Sequence, residues 1–255
     1  MFNKKEFWHL LVSILVLGFI FGFDDGAKNF LFINWISNLI WILFLTAIAV
    51  LFRELVIKLF ARRHDVQSQY EIWYVDYLGF YLKEKKGKGF LNIFRETIKK
   101  PYPLGILFAL ILAVASNGKA FFTAVGVHNF KEIESARVGR KHGRMTYLEE
   151  AQIASSGIFA SLFLAFLALL IGEMFNFKLY SFANINFYLA LFNMIPLSRL
   201  DGAKIFFGSL LMYIFVLVFL VIGFLLMKLN VLLGFLIGFL IAFGAVLFYY
   251  FKYIN

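Results

Sequence analysis

The chain has 255 residues, 62% of them hydrophobic and 16% charged, and its mean hydropathy is +0.82. A soluble domain is about half apolar and about a quarter charged, so this composition describes a membrane domain, and no Pro-, Ser- or Gly-rich linker divides it. The absence of cysteine excludes disulfides, thiolate metal sites and cysteine nucleophiles. The net charge of +10 fits basic loops facing an anionic leaflet, and no basic helix or aromatic RNA motif suggests nucleic acid.

Apolar runs of about 17 to 25 residues are long enough to cross a bilayer as helices. The first is Phe7 to Phe23, behind Lys4 and Lys5. A signal peptide is the competing reading, but Asp24 and Asp25 follow instead of a small-residue cleavage site. The second is Leu31 to Phe52, with Trp35 and Trp41 towards one end, as in an aromatic belt; its helical pattern continues to Ala61, giving a helix over 31–61. Residues 62–152 then form a predominantly polar insert. Within it Tyr70 to Leu82 and Phe121 to Val127 are rich in aromatic and β-branched residues and predict short strands. Lys83 to Lys88 reads as a basic turn against lipid headgroups. Further spans are expected over 153–171, 187–205, 206–227 and 231–251, six in all. No internal repeat is visible.

Leu104 to Ala115 is apolar but only twelve residues long, the range of a re-entrant or interfacial segment. The positive-inside rule favours leaving it uncrossed. With the amino end inside, the outer loops then hold only Lys28, Lys178 and Lys228, and Lys131, Arg137, Arg140, Lys141 and Arg144 stay inside. The insert and both chain ends are therefore expected to be cytoplasmic.

Ionisable residues within spans cost roughly 2.5 to 3.5 kcal/mol each at a helix centre, which makes them candidates for function. Arg53 and Glu54 lie near the end of the second span, and Asp201 near the end of the fourth. Arg53 and Lys58 are long enough to reach the interface; the short Asp201 is not.

The stretch Asn193-Met194-Ile195-Pro196-Leu197-Ser198-Arg199-Leu200-Asp201-Gly202 resembles the Asn-Pro-x-Leu-Asp-Gly signature of site-2 proteases, the intramembrane zinc metalloproteases. Arg53-Glu54-Leu55-Val56-Ile57-Lys58-Leu59-Phe60-Ala61-Arg62 is similar in place to that family's HExxH helix. Ile153 to Ser161 is similar to its Gly-Pro-x-x-Asn segment. The resemblance covers most of Trp35 to Gly208. It implies an all-α polytopic membrane fold of about six transmembrane helices, a small β-containing cytoplasmic insert and a site-2-protease-like core. It also implies that Asp201 holds a zinc-ligand position and Glu54 the general-base position, with Gly157, Ser161, Asn193 and Pro196 positioning substrate.

The pattern breaks where the chemistry would be. HExxH works because two imidazoles one helical turn apart reach one zinc while the Glu activates its water. Here Arg53 and Ile57 stand at the two His positions, which leaves Glu54 idle. Of the four histidines, His64 is eleven residues from Arg53, roughly 16 Å along the helix, out of reach of the same ion; His9 lies at the start of the chain, and His128 and His142 are read as surface residues of the insert. The family's Pro is Ile158 and its Asn is Ser161. Zinc, the family cofactor, is therefore not expected, and the reading is a pseudoprotease that binds or regulates membrane-protein clients or an active protease partner. The alternatives are an active metalloprotease with non-standard or partner-supplied ligands, and a transporter.

A carboxylate without its metal must find a cation or take a proton. Arg53 is expected to pair with Asp201, with Glu54 as a second acceptor. The alternative sends Arg53 to the headgroups and leaves Asp201 capping a local turn through Gly202.

Overall fold

The computed structural model describes residues 3–24, 26–27, 29–75, 102–133, 144–175, 179–197 and 199–253. Eight helices and one two-stranded sheet are formed among them: α1 (Lys4–Gly22), α2 (Phe32–Arg63), β1 (Val66–Ile72), α3 (Leu104–Ala115), β2 (Gly126–Glu132), α4 (Tyr147–Phe175), α5 (Tyr180–Asn193), α6 (Asp201–Gly208), α7 (Leu210–Met227, with a π turn over Phe219–Gly223) and α8 (Val231–Tyr253). Five of these helices, α1, α2, α4, α7 and α8, are long and apolar enough to cross a membrane. Such runs fold as helices because hydrocarbon offers the backbone no partner, so each N–H and C=O must be satisfied within its own segment. The protein is a helical, multi-pass membrane protein.

Two apolar cores share α5. One gathers α1, α2, β1, α3 and the segment before β2 around Leu17, Ala49, Trp73, Phe122 and Leu189. The other gathers α4, α7 and α8 around Ile158, Leu169, Phe219 and Phe224. Glycines set the closest approaches. A Cβ on Gly18 would lie 3.0 Å from the Cα of Leu43, so α1 and α2 pack backbone to backbone, and one on Gly238 would lie 2.5 Å from the Cα of Gly223, where α8 crosses the π turn of α7.

The expected helix over 187–205 is broken. α5 starts at Tyr180 and stops at Asn193, and a turn leads to a second short helix, α6, from Asp201. Pro196 explains the break: it has no N–H to continue the ladder and disfavours helical geometry in the residue before it. The expected run over 206–227 is likewise divided, its first residues belonging to α6. α4 begins at Tyr147, six residues earlier than expected and inside the segment assigned to the insert.

The strands also shift. β1 is Val66–Ile72 and pairs antiparallel with β2, Tyr70 opposite His128 and Ile72 opposite Gly126. β1 starts four residues before the expected Tyr70, and β2 starts where the expected strand over 121–127 ends; the weak alternation in both stretches left the register open. Residues 76–82 of the first expected strand and the basic turn at 83–88 lie outside the described residues.

The β1 edge of the sheet is partly covered by side chains. Bonds from Ile133 N to Asp65 O and from Trp73 N to Val125 O fix the odd-numbered residues of β1 as those bonded to β2, so the even-numbered ones turn their backbone groups outwards. Three of those groups are taken by side chains: Ser68 O by Lys58 Nζ (3.1 Å), Tyr70 N by Glu6 Oε1 (3.0 Å) and Ile72 N by His9 Nδ1 (3.4 Å).

Candidate functional site

α2 runs past its uncharged stretch with exposed Leu55, Leu59 and Phe60 before reaching Arg62 and Arg63. The exposed face of the helix is thus apolar to about Phe60, and Arg53 lies nine residues, about 13 Å, back from Arg62. Arg53 and Glu54 are both buried at that depth, together with Asp201 and His128.

These four side chains form one network. Arg53 Nη2 donates to Asp201 Oδ2 at 2.6 Å. The His128 ring bridges the two carboxylates, with Nδ1 3.0 Å from Asp201 Oδ1 and Nε2 2.8 Å from Glu54 Oε1. Lys204, one turn into α6, lies 3.9 Å from Asp201 Oδ1, donates to the His128 carbonyl and stands over the Phe130 ring. Glu54 thus faces His128, and the expected second bond from Arg53 to Glu54 is replaced by the imidazole.

His128 overturns its reading as a surface residue. It sits on the inward side of β2, opposite Tyr70, whose ring meets it edge-on at 5.6 Å, and it is 2% exposed. With both ring nitrogens facing carboxylate oxygens, the imidazolium can donate to each of them. Burial opposes that charge, but Glu54 and Asp201 outweigh it and raise the His128 pKa from the ordinary 6.5 to about 9.

The other predicted positions divide. Gly157 touches the network: a Cβ there would lie 2.6 Å from Ile57 Cδ1 and 3.2 Å from Arg53 Nε. Its absence lets α4 lie directly against the face of α2 that carries Arg53 and Ile57, and Ile57 is fully buried in the contact. Gly202 serves the turn, since a Cβ would lie 2.1 Å from Met194 O, holding the start of α6 against the end of α5 and so fixing Asp201. Asn193 is buried, but its amide is spent on Leu189 O at 2.8 Å. Ser161 is buried with no hydrogen-bond partner for its hydroxyl among the described residues, and Pro196 is exposed in the turn. Arg53 Nε and Glu54 Oε2 are also without partners among the described residues.

Zinc does not fit this arrangement. Both ring nitrogens of His128 are directed at carboxylates, Arg53 presses a fixed positive charge against Asp201, and Ile57 offers no donor. Among the described residues no group of three or more His, Cys, Asp or Glu is disposed to hold a metal ion.

A second buried polar site was not anticipated. Glu6, in the first turn of α1, is 4% exposed and accepts from Lys58 Nζ at 2.7 Å as well as from Tyr70 N. Tyr70 OH meets Ser13 Oγ at 2.8 Å. A Glu beside Lys4 and Lys5 reads as a solvated helix start, and only the docking of β1 onto α1 buries it. His128 left a faint trace, a lone His in the otherwise apolar stretch before Asn129.

Fold and site together define a multi-pass helical membrane protein with a charged network sealed among its helices and sheet. Comparison with protein-family models, curated proteins and solved structures finds no match to this chain.

Proposed function

We propose that this chain is a divergent, non-proteolytic relative of the site-2 proteases that holds or regulates a membrane-protein client. The observation that carries the reading is the Arg53–Asp201 pair at 2.6 Å. By the resemblance, a guanidinium stands in one former ligand position and neutralises the carboxylate of another. Gly157 against Arg53 and Ile57 supports the same reading, because the three segments that carry the resemblance meet at one place.

The reading has six passes, and the path of the chain supports it. A Cβ on Gly208 would lie 2.3 Å from Tyr147 O, so α5 and α6 together return along α4 to its starting end and complete a broken fourth crossing. α7 and α8 then run out and back, which puts both chain ends on one side, the cytoplasmic side by the positive-inside rule. A client segment held as an extended strand would be hindered at β1, where side chains already hold Ser68 O, Tyr70 N and Ile72 N. It would lie along β2, where Lys204 holds the His128 carbonyl but no further strand is paired among the described residues.

Photo-crosslinking from Phe130 in the native membrane tests this reading. Capture of discrete membrane-protein segments, lost when the probe is moved to Leu236 on the lipid face of α8, is the expected result. Equal capture from both positions would count against client binding. Metal analysis of the purified protein addresses the metalloprotease alternative: stoichiometric zinc that disappears in Asp201→Asn would restore it.

A further inference from the structure

Away from the Arg53 network, a cavity of about 210 Å³ opens at the Arg63 end of α2, lined by Lys58, Arg62, Val66, Gln67, Ser68 and Ile133. Three features give it a chemical preference. Lys58 forms one wall, its ammonium held in place by Glu6 Oε1, which balances its charge, and by the Ser68 carbonyl. Arg62 is exposed and makes no ion pair among the described residues, leaving its fork of donors for a ligand. Ser68 is 3% exposed, yet its hydroxyl has no hydrogen-bond partner among the described residues. A buried hydroxyl without a partner carries a desolvation cost that a ligand oxygen would relieve. Lys131, directly across the sheet from Gln67, adds positive charge nearby.

Depth narrows the choice of ligand. The cavity begins where the lipid-exposed Leu59 and Phe60 give way to Arg62 and Arg63, the level at which headgroup phosphates lie. Planar paired donors from an Arg and a hydroxyl beside it form a donor set that phosphate oxygens take. From this geometry we infer that the cavity is a phosphate-binding seat for the headgroup of an anionic phospholipid or for a free phosphate. The seat does not depend on the proposed relation to proteases, since none of its residues belongs to the Arg53 network.

The test uses the full chain purified in detergent, with native mass spectrometry of bound phosphatidylglycerol and of phosphatidylcholine with the same acyl chains. Phosphatidylglycerol is expected to bind preferentially. Arg62→Gln should weaken its binding about tenfold and Ser68→Ala about fivefold, as expected for hydrogen bonds to a charged group. Arg63→Gln, the same charge change one residue on, should shift it by less than about twofold. Inorganic phosphate that displaces the lipid and binds by itself identifies the free anion as a ligand; retention of lipid under excess phosphate identifies the headgroup, and both support the seat. Unchanged binding in Arg62→Gln and Ser68→Ala, with thermal melts like that of the unaltered chain, would overturn the inference. So would equal binding of phosphatidylcholine.

Discussion

Asp201 is the residue on which the buried charges converge, with Arg53 on one oxygen, His128 on the other and Lys204 at the margin. Breaking a buried pair by removing one partner leaves a stranded charge, a loss of about 3 to 5 kcal/mol. Because His128 and Lys204 remain beside Asp201, Arg53→Ala should fall near the lower end, about 3 kcal/mol by denaturant titration. Asp201→Asn in the Arg53→Ala background should recover part of it; a neutral Arg53→Ala would show the pair to be unimportant. His128 makes stability pH-dependent in a defined direction. Its folded-state pKa is raised, so its contribution is complete below the unfolded value of 6.5 and is lost as pH rises through about 9. Thermal melts should therefore fall across that window, and His128→Gln should flatten the dependence.

Glycine contacts separate two kinds of packing at the level of helices. At Gly157 an added Cβ meets the far end of the flexible Ile57 side chain, whereas at Gly202 it meets the carbonyls of Met194 and Ile195. Side chains yield and backbone does not, so Gly157→Ala should cost about 1 to 3 kcal/mol as ordinary overpacking. Gly202→Ala should cost more and displace α6, taking Asp201 out of register with Arg53. Thermal melts of the two variants, compared at fixed detergent, decide the order; a Gly202→Ala melt at or above that of Gly157→Ala would contradict it. The break between α5 and α6 follows from Pro196, a signal present in the sequence that the continuous helix expected over 187–205 passed over. The covering of the β1 edge left no such signal, because it depends on Glu6, His9 and Lys58 arriving from two other helices.

For the whole molecule, the proposed six-pass path makes a prediction about sidedness. The chain contains no cysteine, so single cysteines can be introduced without background. Asn3→Cys and Lys252→Cys should label with an impermeant maleimide from the same side of sealed vesicles. Labelling from opposite sides would mean that α5 and α6 turn back and do not cross. Either way the charged network joins the two apolar cores, since α2 and β2 bring Arg53, Glu54 and His128 while α6 brings Asp201 and Lys204.

Local composition alone settled the membrane class, the helices that cover the long apolar runs, the twelve-residue α3 and the residues whose charge is costly at depth. Each follows from side-chain hydropathy and the demand that backbone groups be satisfied within a segment, and both can be read over a few helical turns. Tertiary structure decided which of those charges meet. Arg53 and Asp201 are 148 residues apart in sequence and 2.6 Å apart in space. His128 reads as an ordinary polar residue of a loop until strand pairing turns it towards two carboxylates. Its burial, its charge and the cavity beside Ser68 arise from register and helix docking, which depend on contacts between distant segments and leave little local trace in composition.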